Sequence, residues 1–453
     1  MKTQVKNYLI SNHTNMKNLK TIITLFILVL IASCSKDSDA PATADVPAVN
    51  PIAISSMGPT TGAKNTSVVL IGTGFSNNAA SNIVTLNGKV CTVNQASTTQ
   101  LNITIPPKST TGNIVVTVGG NSAQSTLFSY IETVTVSTLA GSTQGFQDGA
   151  GVTAKFDELN GITIDIAGNL YVADFLNRRI RKITATGVVT TFAGNGESGS
   201  VDGTGTSAQL NTPINIVFDK TANNFFVAES NGHKIRKISL GGVVTTIAGS
   251  TSGFADGTGS LAQFNSPIGI TMDTSGNLFV VDGGNHKIRK VTQTGIVTTI
   301  AGSTQGFADG TGTSAMFLTP TFITSDTSGN LYVSDSSNHK IRKITPAGVV
   351  STIAGSTLGF ADGTGLNAQF SRPRGIVLDA SGNLYVCDRS NHKIRKISQT
   401  GIVTTIAGGT AGFADGIGTI ARFSTPVGIT IDNDGILYVT DNSNHKIRKI
   451  VID

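Results

Sequence analysis

The sequence predicts an all-β chain: a small sandwich followed by a closed ring of six repeated sheets. Three observations predict it. The clause Asn-His-Lys-Ile-Arg-Lys recurs at Asn285–Lys290, Asn338–Lys343, Asn391–Lys396 and Asn444–Lys449, with weaker copies at Asn177–Lys182 and Asn231–Lys237. A second clause, Val-x-Thr-x-Ala-Gly, ends at Gly141, Gly194, Gly249, Gly302, Gly355 and Gly408, at intervals of about 53 residues. The first copy of this second clause has no repeat before it, and the last repeat has no such clause after it. That phase is the one expected of a circle cut between two strands.

Composition agrees. The 453 residues include 52 Gly and no Trp, and only 13% are charged, which suits short strands and tight turns better than helices. The formal charge of +6 is a poor guide to partners. Lys2, Lys6, Lys17 and Lys20 lie upstream of Cys34 in a stretch without acids, and removing them leaves 29 basic against 27 acidic residues. That balance of +2 argues against a nucleic-acid partner.

In chain order, the first element is an address. Lys17 and Lys20 precede the apolar run Ile22–Ile31, and Ile31-Ala32-Ser33-Cys34 follows. The run is too short to span a membrane and reads as a signal peptide at 1–33, with Met16 an alternative start. Ile31–Cys34 resembles a bacterial lipobox, which implies lipidation of Cys34 and a membrane partner through that lipid anchor. Ser35-Lys36-Asp37-Ser38-Asp39 resembles the export tag of Bacteroidetes surface lipoproteins, which implies a surface-exposed position on the outer membrane of the cell envelope. Residues 34–49 are small, polar and aperiodic, a flexible tether.

Residues 50–131 alternate short strands with Gly, Asn and Pro; candidates are Ser67–Gly72, Ile83–Leu86, Leu101–Ile105, Asn113–Val118 and Thr126–Tyr130. The pieces Ile54-Ser55-Ser56-Met57-Gly58-Pro59, Ile71-Gly72-Thr73-Gly74-Phe75 and Val84-Thr85-Leu86-Asn87-Gly88 resemble an IPT/TIG domain, an Ig-like sandwich. In that family the domain is mostly a spacer or a modest interaction module.

Residues 132–453 hold the repeats. In one unit, Pro267–Asp273 is a strand whose Gly269 suits a crowded axis, and Leu278–Val281 is apolar on both faces. His286–Val291 is a third strand and Ile296–Ile300 an outer one. Four antiparallel strands, six times, make a six-bladed β-propeller. Gly-Asn-Leu-Tyr-Val-x-Asp and Asn-His-Lys-Ile-Arg-Lys resemble the NHL repeat over about 320 residues. The last unit has only three strands, so Thr133–Leu139 is expected to supply the fourth and close the ring, removing two open edges.

Most repeated polar residues read as structural. His233, His286, His339, His392 and His445, with Arg178 as sixth, stand at one position well off the axis and make an implausible metal set. Asp148, Asp202, Asp256, Asp309, Asp362 and Asp415 fit Asp-Gly turns better than calcium loops. Lys287, Arg289, Lys290 and their copies, in register with acids, suggest ladders between blades. Cys91 and Cys387 fall in different domains, and no bridge is expected. Function is sought where the copies disagree. Glu158, Phe175, Glu229, Phe322, Arg372, Arg374 and Arg389 are the candidate ligand-binding residues on the axial rim. The expectation is a monomeric, non-catalytic binding protein with no cofactor and no metal, taking a protein, peptide or glycan ligand. Its rival is a propeller enzyme of lyase, lactonase or hydrolase type with its site at the channel mouth, as related propellers have; no catalytic residue is assigned, because every His after His13 obeys the repeat.

Overall fold

The computed structural model describes residues 51–453. The expected signal peptide, Cys34 and the tether lie outside the described residues. Those described form strands and short 3-10 turns with no α-helix, and hold no helix long and apolar enough to cross a membrane.

Residues 51–130 form two facing sheets. One orders Ala53–Gly58, Ser67–Thr73, Gln100–Thr104 and Thr92–Ala96; the other orders Thr61–Gly62, Asn121–Tyr130, Gly112–Val118, Ile83–Leu86 and Lys89–Val90. Alternation does the work: Val68, Leu70, Leu101, Ile103, Val116 and Phe128 point inward and form one buried cluster. Asn87 and Gly88, both at positive φ, make the tight turn that pairs Leu86 with Lys89.

The repeats form six sheets of one design. Their innermost strands are Leu159–Ile164, Pro213–Asp219, Pro267–Met272, Pro320–Ser325, Pro373–Leu378 and Pro426–Ile431, which number the blades 1 to 6. In blade 3, Leu278–Asp282, Lys287–Val291 and Ile296–Ala301 follow outward, each antiparallel to the last. A fifth strand of two residues, Gly257–Thr258, pairs outside Ile296–Ala301. The four-strand expectation missed it because Asp256-Gly257-Thr258-Gly259 reads as a turn. Each innermost strand touches the next, and the first touches the sixth, so the ring is closed. Approach there is close: a Cβ on Gly428 would lie 2.2 Å from the Asn160 carbonyl oxygen of blade 1.

Closure follows the phase of the repeat. Val134–Ala140 supplies the outer strand of blade 6, pairing Val134 with Ile452 and Val136 with Ile450. On its far side it takes Gly416–Ile417. Val136 packs with Ile450, Ile406 and Phe423, and Ala140 with Phe156, Leu159 and Ile447. Thr133 and Asp453 exchange backbone hydrogen bonds of 2.8 and 2.9 Å at the end of the pair. The sandwich domain grips this seam. Lys64 forms an ion pair with Asp453, and the Lys108 ammonium donates to the Asp434 carbonyl.

Val136 is 1% exposed, so Val136→Asp puts an unpaired carboxylate into the seam. It should lower stability by about 3 kcal/mol or more, read as a lower Tm in circular dichroism. Thr135→Asp, on the exposed face of the same strand, should leave the melt within a degree or two of the parent.

Candidate functional site

The repeated cations are consumed inside the blades. Arg181, Arg236, Arg289, Arg342, Arg395 and Arg448 are fully buried. Arg289 donates through Nη1 to Asp282 at 2.6 Å and through Nη2 to Asp256 at 2.7 Å. Further bonds reach the carbonyls of Gln263 and Ala255, at 3.1 and 2.7 Å. Its guanidinium lies 4.9 Å from the Phe254 ring and 5.1 Å from Phe264, with Phe254 as a half-exposed lid. Burial pushes the Asp282 carboxyl upward, opposed by Asn285, the Asn265 N–H and Arg289. These pairs run within a blade and correct the expectation of ladders between blades. The Asp-Gly aspartates are therefore half of a clamp as well as turn residues.

The histidines join neighbours. His286 sits at φ 56°, ending a 3-10 turn. The Nδ1 atoms of His233, His286, His339 and His392 accept the N–H of Ser266, Thr319, Arg372 and Thr425 in the following blade, at 3.0–3.3 Å. His445, facing blade 1 across the seam, has its Nδ1 buried without a partner. Among the described residues no group of three His, Cys, Asp or Glu side chains is arranged to hold a metal. Cys91 and Cys387 are buried free thiols.

Two candidate residues are corrected to the core. Glu229 is fully buried, paired with Arg236 and accepting 2.7 Å from Ser200 Oγ. It replaces the clamp aspartate in blade 2, where Gly232 stands in place of the usual Asn; a Cβ on Gly232 would lie 2.3 Å from Glu229 Oε2. The longer acid fills the space the Asn leaves, and Ser200 replaces its donor. Phe322 is 4% exposed and packs with Ile376, Val386 and Val427. Phe175 is half-buried and packs against the cluster that holds Ile214 and Phe226.

Glu158, Arg374 and Arg389 do come together. Arg374 stands at the start of the innermost strand of blade 5 and reaches past blade 6, donating to Asn160 Oδ1 of blade 1 at 3.3 Å. Burial, then the nearby Arg389 charge, pull Arg374 down to about 10, and Glu158 opposes them. Arg389 is lowered by burial and by Arg372, again opposed by Glu158, and its Nε is buried without a partner. Arg372 is exposed at φ 50°. None of these three arginines makes an ion pair among the described residues, whereas every clamp arginine makes two. Asn160 and Asn442, whose amide donates 2.8 Å to the Leu159 carbonyl, lie beside the three arginines on the rim. Both stand at positions where the copies diverge, but neither was in the candidate set. Asn160 was detectable, since Ile214, Ile268 and Val427 take its place in sister blades.

A profile of the IPT/TIG domain matches residues 51–130. The NHL repeat matches 264–291, 317–344, 370–397 and 423–450, spans that cover the first three strands of blades 3 to 6. The chain thus carries an IPT/TIG domain and four NHL repeats. NHL repeat-containing protein 2 of Bos taurus is 28% identical over 344 residues, 64% of this chain and 46% of that protein. The chain spans under half the length of the curated relatives it matches. A solved protein of unknown function from Bacteroides thetaiotaomicron superposes with a TM-score of 0.62 at 22% identity, over 89% of this chain and 98% of that one. An auxiliary nutrient binding protein of the same organism gives 0.56 at 20%, with the same coverages. At such identities the likeness is one of fold.

Arg289→Met leaves a buried carboxylate uncompensated and should cost about 3–5 kcal/mol in urea unfolding. Gly232→Asn should destabilise the chain through its clash with Glu229, and adding Glu229→Asp should restore much of the loss. A double variant no more stable than Gly232→Asn would refute the compensation.

Proposed function

We propose that the chain is a non-catalytic binding propeller that takes an anionic ligand at the Arg374–Arg389 face. It would be presented as a monomer on the IPT/TIG domain as a stalk, anchored to the outer face of the outer membrane through lipid on Cys34. The observation that carries the reading is three arginines gathered at one end of the ring beside one acid, Glu158, and making no ion pair among the described residues. A buried or half-buried guanidinium with free donors is stabilised by a carboxylate, sulfate or phosphate that takes two of them at once. Asn160 and Asn442 add neutral hydrogen-bonding groups beside them, which favours an acidic peptide or acidic saccharide over a bare ion. Nucleic acid is not the partner we propose, because the repeats balance their charges. Four of the repeated histidines, and the repeated aspartates, which a catalyst would draw on, are occupied in joining and clamping blades.

The test is an array of acidic and neutral oligosaccharides and peptides probed with the protein and with Arg374→Ala plus Arg389→Ala. Binding confined to acidic members, weakened about tenfold or more in the double variant and by added salt, is expected. Equal binding by both proteins would refute the site, and time-dependent loss of an array ligand would mark a catalyst instead.

A further inference from the structure

The opposite end of the ring carries the loops between first and second strands, and there a different break in the repeat appears. The residue before the turn aspartate of each innermost strand is Ile164, Phe218, Met272, Ser325, Leu378 and Ile431. Five are large and apolar; Ser325 is small. Beside it lies a cavity of about 690 Å³, floored by Val217, Phe218 and Met272 and edged by three acids, Asp219, Asp273 and Asp326, and one exposed cation, Lys220. That volume is within the roughly 300–1,000 Å³ of small-ligand sites. No residue of the IPT/TIG domain lines it; that domain meets the same end of the ring at blades 5 and 6.

One carboxylate in this cavity is unlike its sisters. Asp273 Oδ2 accepts from Asn277, Asp326 Oδ2 from Asn330 and Tyr332, and Asp379 Oδ2 from Asn383 and Tyr385. In blade 2 the tyrosine is Phe226, which has no hydroxyl, and the turn is one residue longer. Asp219 Oδ1 accepts the N–H groups of Thr221 and Ala222, at 2.9 and 3.0 Å. Its Oδ2 has no hydrogen bond or ion pair among the described residues, Lys220 included, although Asp219 is only 3% exposed. That oxygen keeps access to the cavity and is open to a donor or cation that enters it.

We propose that this cavity binds a small organic cation, an ammonium carried on an apolar body. The ammonium meets Asp219, with Asp273 and Asp326 adding to the negative field. The apolar body stands on Phe218 and Met272, in the space that Ser325 leaves open. This site is separate from the arginine face and takes ligands of the opposite charge.

The probe is dansylcadaverine, a primary ammonium on an aromatic sulfonamide, titrated into the full chain and followed by its fluorescence. Saturable binding at one site per chain is expected. Ser325→Leu, which installs the residue blade 5 carries as Leu378, and Asp219→Asn, which keeps the Oδ1 acceptor, should each weaken it about tenfold or more. N-acetylation of the probe should weaken it as much, and Arg374→Ala plus Arg389→Ala should leave it unchanged. Circular dichroism melts confirm that both cavity variants fold. Absence of saturable binding overturns the proposal, as does binding indifferent to Ser325→Leu. Binding lost in Ser325→Leu but indifferent to Asp219→Asn and acetylation overturns the assignment of a cation.

Discussion

Six guanidinium groups sealed inside the sheets are the constraint from which the ring is built. Each one ties the second strand of its blade, through the buried acid, to the loop that arrives from the previous blade, through the Asp-Gly aspartate. A buried charge is tolerable only when its geometry is nearly complete. The clamp therefore dictates where that loop runs, where the outer two-residue strand lies, and where the next innermost strand begins. In five of the six blades a phenylalanine lid closes the arrangement by keeping water from the guanidinium; blade 2 carries Ser200 in its place. Histidines then join one clamped unit to the next through a single backbone contact each. Local rigidity of the blade comes first, and blade-to-blade order is added to it.

This hierarchy explains what could be read from the sequence. The number of blades and the closing strand were legible because repeat phase depends only on order along the chain. The clamp was not: Asp256 and Arg289 meet across 33 residues, and nothing in a local pattern distinguishes a turn aspartate from one that also faces a buried cation. At the rim, Arg374, Arg389 and Glu158 were found because they break the repeat. Glu229 breaks it too, yet serves the fold, because Ser200 and Gly232 change with it. Phe322 misled for another reason, since a residue on an innermost strand can face the neighbouring blade as readily as the axis. A broken repeat points to function only when nothing nearby has changed to absorb it.

By that criterion the two ends of the ring differ in kind. At one end, three arginines gather around a single acid, Glu158, with which none forms an ion pair among the described residues; at the other, a donor is withdrawn from an acid and a large side chain from its neighbour. Both leave charge uncompensated by protein groups, and the two charges have opposite sign. Blades 5 and 1 hold the cationic end, while the irregular turn of blade 2 and Ser325 of blade 4 shape the anionic one.

The closing strand also sets a schedule. Val134–Ala140 is made before any complete blade, and its partner Lys446–Ile452 leaves the ribosome roughly 300 residues later, a delay on the order of half a minute. Throughout that interval the strand has an apolar face and an open edge with no native mate. Five near-identical outer-strand positions form meanwhile, each a wrong address for it. Attachment to an already folded sandwich domain confines the strand's reach and holds it beside the place where the final residues must arrive.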